Sequence, residues 1–170
     1  MSIKFAILTV SDRSSSGTRE DRSGPLLQQA VIDSGWEVTQ TDIVSDEFPE
    51  IVDKLQTWSD SGEINVILTT GGTGFSSRDV TPEATKAVVD RQAPGLAEAM
   101  RAGSLTITPH AMLSRSEAGI RKNTLIINLP GSPKGALENF RIVAPVLAHA
   151  VQLLEDDSRA EDTHQRPLAV

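Results

Sequence analysis

Two hydrophobic periods alternate along this chain. Ile3 to Val10 is an apolar, β-branched run and predicts a buried first strand. Ser11 to Ser23 is polar and glycine-bearing, carries Arg13, Arg19 and Arg22, and predicts a loop. Ser23 is placed to cap a helix with Pro25 in its first turn; Leu26, Leu27, Ala30 and Val31 follow helical spacing, and Gly35 ends it. Trp36 to Val44 alternates like a strand. Asp46 is placed to cap a second helix, which carries Phe48, Ile51, Val52, Leu55 and Trp58 on one face and stops near Gly62.

Ile64 to Thr70 predicts a third strand that runs straight into Gly71-Gly72-Thr73-Gly74. Thr81 then caps a helix with Pro82 in its first turn, and a further helical stretch follows Pro94, over Gly95 to Arg101. Leu113 to Ala118 and Thr124 to Leu129 read as strands. The five residues between them are too few for a parallel crossover, so this pair is expected to be antiparallel. Helical segments follow Pro130-Gly131-Ser132-Pro133 and reach Leu154, with a break or kink at Pro145. The order predicts an α/β fold: a three-layer α/β/α domain, its sheet mostly parallel with one antiparallel edge strand. Ligands of such sheets bind beyond the carboxyl ends of the strands. The unusual loops fall there: 11–23, 45–48, 71–81 and 130–135.

Size and composition narrow the function classes. A chain of 170 residues suits one domain, placed at 1–154, with a polar and flexible tail at 155–170. There is no cysteine, which excludes a disulfide scaffold, a thiolate metal site and a cysteine nucleophile. His110, His149 and His164 lack metal-ligand spacing, and His149, in an apolar helix, reads as packing. No apolar run approaches the roughly 18 residues of a membrane span. The N-terminal MSIKFAILTV lacks the pattern of a secretory signal, so a cytoplasmic location is expected. Net charge is -7. Without the five acids and two bases of 155–170, the body keeps 14 Lys+Arg against 18 Asp+Glu, net -4. An acidic body without a basic block is not built for nucleic acid or an anionic membrane, although a small anionic substrate can still meet a locally positive site.

The strongest chemical signal is TTGGTGFSSRDVTPEAT, Thr69 to Thr85. Gly71, Gly72 and Gly74 let backbone N–H groups approach an anion, and Thr73 and Ser76 add hydroxyls. Three glycines with hydroxyls between a strand and a helix favour an anion cradle over a plain turn. No Gly-Lys-Ser/Thr follows, so this is not a Walker loop, and the dinucleotide spacing is also absent. Asp46 and Asp79 both project from the carboxyl edge of the sheet and are candidate ligands of a magnesium ion. Helix capping is the better explanation of Asp46 taken alone and a poorer one of Asp79. Asp12 is a third candidate, or a solvated turn residue. In LPGSPKG, Gly131, Ser132 and Lys134 could meet phosphate or base, or the segment could be a proline-stiffened loop. Arg115 could pair with a phosphate or be a solvated edge charge; Ser104 and Ser114 read as ordinary surface residues.

These segments together resemble the molybdopterin adenylyltransferases, the MogA/MoaB-type bacterial proteins and the related G domains of plant and animal molybdenum-cofactor enzymes. AILTVSDRSSSG, DRSGP, the aspartate of VSDEF, TTGGTGFSSRDVTPEAT, SLTITPHAMLSRS and AGIRKNTLIINLPGSPKG carry the resemblance over residues 3 to about 154. It implies a molybdopterin-binding-like fold and a reaction in which the terminal phosphate of molybdopterin attacks the α-phosphate of ATP. By the same resemblance, Asp46 and Asp79 are the essential acidic pair, acting through Mg2+, and Asp12 is an added candidate. Gly71, Gly72, Thr73 and Gly74 bind phosphate, Ser104 and Ser114 hold the pterin, and Ser132 with its loop lines the nucleotide pocket. Relatives that have lost activity lack the Arg-Asp pair that stands here as Arg78 and Asp79. The family usually forms homotrimers, and contact with a molybdate-inserting enzyme is expected. The competing expectation is a non-catalytic molybdopterin-binding or scaffold protein with the same cradle.

Overall fold

The central sheet has six strands in the order β2-β1-β3-β6-β5-β4. The computed structural model describes residues 2–155; the tail expected at the C-terminus lies, apart from Glu155, outside the described residues. β1 (Lys4–Val10), β2 (Glu37–Val44), β3 (Val66–Thr70) and β6 (Thr124–Leu129) are mutually parallel. β5 (Ala118–Arg121) pairs antiparallel with β6 as expected, but apart from Ala118 it lies on residues read as the connecting loop and not on 113–117, and the two-residue β4 (Arg91–Gln92) pairs antiparallel with its outer side and forms the edge. The helices are α1 (Asp12–Ser15), α2 (Ser23–Asp33), α3 (Phe48–Asp60), α4 (Thr81–Val88), α5 (Pro94–Leu105) and α6 (Pro133–Leu154), with a 3-10 turn at Pro109–Leu113.

Side-chain alternation on the buried strands separates two cores. Phe5 and Ile7 of β1, Leu68 of β3 and Ile127 of β6 meet Leu27 and Val31 of α2, Met100 of α5 and Phe140 and Leu147 of α6. Ala6, Leu8, Ile67 and Ile126 face the other way and meet Ile51, Leu55 and Trp58 of α3 and Ala84 and Val88 of α4. Three helices therefore cover one face and two the other, the three-layer arrangement. Each large apolar side chain fully buried this way contributes about 1.5–3 kcal/mol. Trp36 stacks on Phe5 at 5.2 Å and meets Phe140 edge-on at 6.4 Å, which closes the first core beside β2.

Three expected caps do other work. α2 begins at Ser23 itself, α3 has Glu47 at its N-cap and α4 has Val80 there. The hydroxyl of Ser23 donates to the carbonyl of Gly131 at 2.8 Å, and that of Thr81 donates to the carbonyl of Gly71 at 2.9 Å. Asp46 accepts from the backbone of Asp12. Each side chain bonds another loop instead of its own helix.

Two further expectations are corrected. Residues 114–117 are not a strand, because Thr108 caps the 3-10 turn ahead of them and the amide of Arg115 donates to the carbonyl of Thr73. α6 also runs on through Pro145. A proline inside a helix costs about 3 kcal/mol, and burial of Phe140, Val143, Leu147 and Val151 along that helix offsets it.

Candidate active site

The parallel strands β1, β2, β3 and β6 end on one edge, and the loops that leave them surround a cavity of about 590 Å³. Asp12, Asp46, Asp79, Gly71, Gly72, Gly131 and Ser132 all line it. The sequence therefore placed seven of its candidates around one space. The glycines are needed there. At Gly71 the backbone has φ +105°, and a Cβ would lie 2.2 Å from the carbonyl oxygen of Val10. At Gly131 a Cβ would sit 3.1 Å from the Cα of Gly71, so the turns after β3 and β6 touch backbone to backbone.

The carboxylates are held by the backbone. The amide of Asp12 donates to Oδ2 of Asp46 at 2.7 Å, and the amide of Asp46 donates to Oδ1 of Asp12 at 2.9 Å. Asp79 Oδ2 accepts from the amide of Ser76 at 3.0 Å, and its own amide donates to the Ser76 carbonyl. Arg78 grips Asp12 with two donors at 3.0 and 2.9 Å and reaches Glu47 at 2.8 Å. That guanidinium holds the Asp12 carboxyl below the usual carboxylate range, helped by the Asp46 amide. Asp46 moves the other way. Burial pushes its carboxyl up, the Asp12 amide opposes this, and the charges of Asp12 and Asp79 add to the rise.

A second cavity of about 300 Å³ adjoins the first. Thr73, Gly74, Ser104 and Ser114 line it, and Ser132 lines both spaces. Ser132 is also the N-cap of α6, its hydroxyl accepting from the Gly135 amide at 3.2 Å. Asn139 donates to Ser104 Oγ at 3.1 Å and to the Gly135 carbonyl at 2.8 Å. The Ser114 hydroxyl donates to Ser116 Oγ at 3.1 Å, and Arg101 donates to the Ser116 carbonyl at 2.9 Å.

Two candidates fall outside both cavities. Arg115 lies between them and spends its guanidinium on protein: Nε donates to the Gly74 carbonyl at 2.7 Å, Nη2 to the Asp79 carbonyl at 2.5 Å, and Nη1 pairs with Glu83. It is neither a free phosphate ligand nor a solvated edge charge. Lys134 has a side chain 80% exposed and faces Glu138 one helical turn on, at 3.8 Å.

Sequence reasoning missed Asp21, whose carboxylate accepts from the Thr9 hydroxyl at 2.7 Å and the Gly24 amide at 3.0 Å and so fixes the end of the 11–22 loop. Its position three residues before a glycine in a helix start was the available signal. It also missed Asn139 and Arg101, which sit inside helices where no local pattern marks them.

Comparison with known proteins identifies the family and fold. The family model described as "Probable molybdopterin binding domain" matches residues 6–149. The molybdenum cofactor synthesis protein cinnamon of Drosophila melanogaster is 45% identical over 166 residues, covering 96% of this chain; the chain spans only 28% of that protein's length. Molybdopterin adenylyltransferase of Helicobacter pylori strain J99 is 42% identical over 154 residues, covering 89% of this chain and 88% of that one. Among solved structures, the molybdopterin biosynthesis enzyme MoaB from Thermus thermophilus superposes with a TM-score of 0.85 at 47% identity, covering 89% of this chain and 96% of the other.

Proposed function

The chain belongs to the molybdopterin-binding domain family, and on that premise we propose that it is a molybdopterin adenylyltransferase of molybdenum cofactor biosynthesis. It transfers AMP from ATP to the terminal phosphate of molybdopterin and releases pyrophosphate. Ser132 carries the reading, because it lines both cavities and so marks where two phosphate-bearing ligands can meet. The larger cavity takes the nucleotide, with its phosphates against the backbone of Gly71, Gly72 and Gly131. The smaller takes the pterin, with Ser104 and Ser114 on its wall and its terminal phosphate at the junction.

An oxygen of that phosphate attacks the α-phosphorus of ATP. A new P–O–P bond forms, and the bond from the α-phosphorus to the bridging oxygen breaks, its electron pair leaving with pyrophosphate. The protein's part is positioning and neutralisation, as in other phosphoryl-type transfers. No covalent nucleophile is required, and no histidine lines the larger cavity. The residues also fit Mg2+. The donor set is all oxygen, and two carboxylates, Asp46 and Asp79, are enough for an ion that draws its other ligands from phosphate and water. Burial is the main cause of the raised Asp46 carboxyl, and the smaller contribution from the charges of Asp12 and Asp79 is what a cation there would offset. When bound there, the ion would supply charge for the phosphates. Among the described residues no three His, Cys, Asp or Glu side chains form a protein-only cage.

The resemblance supports a homotrimer working in the cytoplasm and passing its product to a molybdate-inserting enzyme. Leu105, Ile107, Met112 and Leu113, exposed on the end of α5, the 3-10 turn and the link between them, are suited to a subunit contact. No helix among the described residues is long and apolar enough to cross a membrane. The deciding experiment incubates the purified chain with molybdopterin and Mg-ATP. Adenylylated molybdopterin and pyrophosphate are expected in equal amounts. Molybdopterin binding without pyrophosphate release would instead make the chain a non-catalytic binder.

A further inference from the structure

The loop between β1 and α2 holds positive charge that the reaction above leaves unused. Arg13, Arg19 and Arg22 all line the larger cavity. The amides of Thr18 and Arg19 both donate to the carbonyl of Arg13, at 2.9 and 3.1 Å, so the loop brings the backbones of Arg13 and Arg19 together. Among the described residues neither guanidinium has an ion-pair partner. Arg22 has only Glu20, at 3.3 Å, with side chains 76% and 77% exposed, and such a pair is worth little. Arg78, by contrast, is committed to Asp12 and Glu47.

The loop is also built in advance. Ser11 accepts from the Ser14 amide at one end, and Asp21 accepts from Thr9 and Gly24 at the other. A fixed loop loses little entropy when it meets a ligand. None of the three arginines lines the smaller cavity, whereas Ser132 lines both. The α-phosphate must lie at that junction, and the departing end of the triphosphate extends away from the attacking oxygen.

We propose that Arg13, Arg19 and Arg22 form a clamp for the β- and γ-phosphates of ATP that retains pyrophosphate after transfer. The proposal rests on the adenylyltransferase reading and adds the residues that recognise the leaving group. It makes the arginine loop the part of the protein that tells a nucleoside triphosphate from a monophosphate.

Calorimetric titration with inorganic pyrophosphate, ATP and AMP tests it on the full chain and on R13Q, R19Q, R22Q and the triple variant. Each single change should weaken pyrophosphate and ATP binding by about three- to tenfold, and the triple change by about 100-fold or more. AMP affinity should stay within about twofold, and the salt dependence of pyrophosphate binding should flatten in the triple variant. Circular dichroism should show all variants folded, since these side chains hold no other element. Undiminished pyrophosphate binding by the triple variant would overturn the clamp, as would an equal loss for AMP. Failure of the unsubstituted chain to bind either ATP or pyrophosphate would overturn the parent reading as well, so the two failures are distinguishable.

Discussion

Asp12 and Asp46 exchange hydrogen bonds: each main-chain amide donates to the other's carboxylate, at 2.7 and 2.9 Å. Thirty-four residues separate them in sequence, so the pair ties the end of β1 to the end of β2. It also brings two negative charges together with Asp79 nearby. The burial and crowding that raise the Asp46 pKa are a cost carried in the free protein.

That cost gives a pH prediction for Asp46→Asn. A carboxyl with a raised folded pKa contributes stability below the unfolded value and loses it as pH rises through the folded value. The amide of asparagine keeps the acceptor for Asp12 and removes the charge. Thermal unfolding should find Asp46→Asn at least as stable as the parent at pH 7, while turnover falls by about 100-fold or more. In the parent, the acid limb of turnover should lie above the ordinary aspartate range and move to lower pH as Mg2+ is raised. A variant clearly less stable at pH 7 would contradict the assignment.

Asp79 is predicted to separate folding from chemistry as well. Its carboxylate accepts one backbone bond, from Ser76, which an asparagine oxygen can also accept. Asp79→Asn should therefore fold normally, retain molybdopterin binding and lose turnover by about 100-fold or more. Single-turnover measurement of pyrophosphate release checks this. Normal turnover in the folded variant would remove Asp79 from the site.

The strands and helices were legible because burial imposes a local period: Phe5 and Ile7 face one core, Ala6 and Leu8 the other. The glycine turns were legible because only glycine admits the approach of Val10 to Gly71. The caps were misread for the opposite reason. Capping rules look about three residues ahead, whereas Thr81, Asp46 and Ser23 bond partners 10, 34 and 108 residues away. Ser104 and Ser114 read as surface residues for the same reason. Nothing near them in sequence shows that α5 and the 114–117 segment come together around Thr73, Gly74 and Asn139.

Ser114 should discriminate between the two ligands. It lines the smaller cavity and not the larger one. Ser114→Ala is expected to weaken molybdopterin binding by about 5- to 30-fold, the range for losing one or two hydrogen bonds to a ligand. ATP binding should change less than about twofold. Separate titrations with each ligand decide it, and equal losses for both would place Ser114 outside the pterin pocket.

Arg115 is predicted to act on the reaction through the loop it holds. Its guanidinium reaches the carbonyls of Gly74 and Asp79 and the side chain of Glu83 together, a span that the single ammonium of lysine cannot cover. Gly74 lines the smaller cavity and Asp79 the larger, so releasing the bonds loosens both walls at the point between them. A loosened Asp79 should lower kcat more than it raises the KM for either substrate, because misplacement weakens the transition state before it weakens binding. Arg115→Lys is expected to lose about tenfold in kcat, and Arg115→Ala more. Steady-state kinetics with each substrate varied in turn separates this from a direct phosphate contact, which would appear first as a rise in KM.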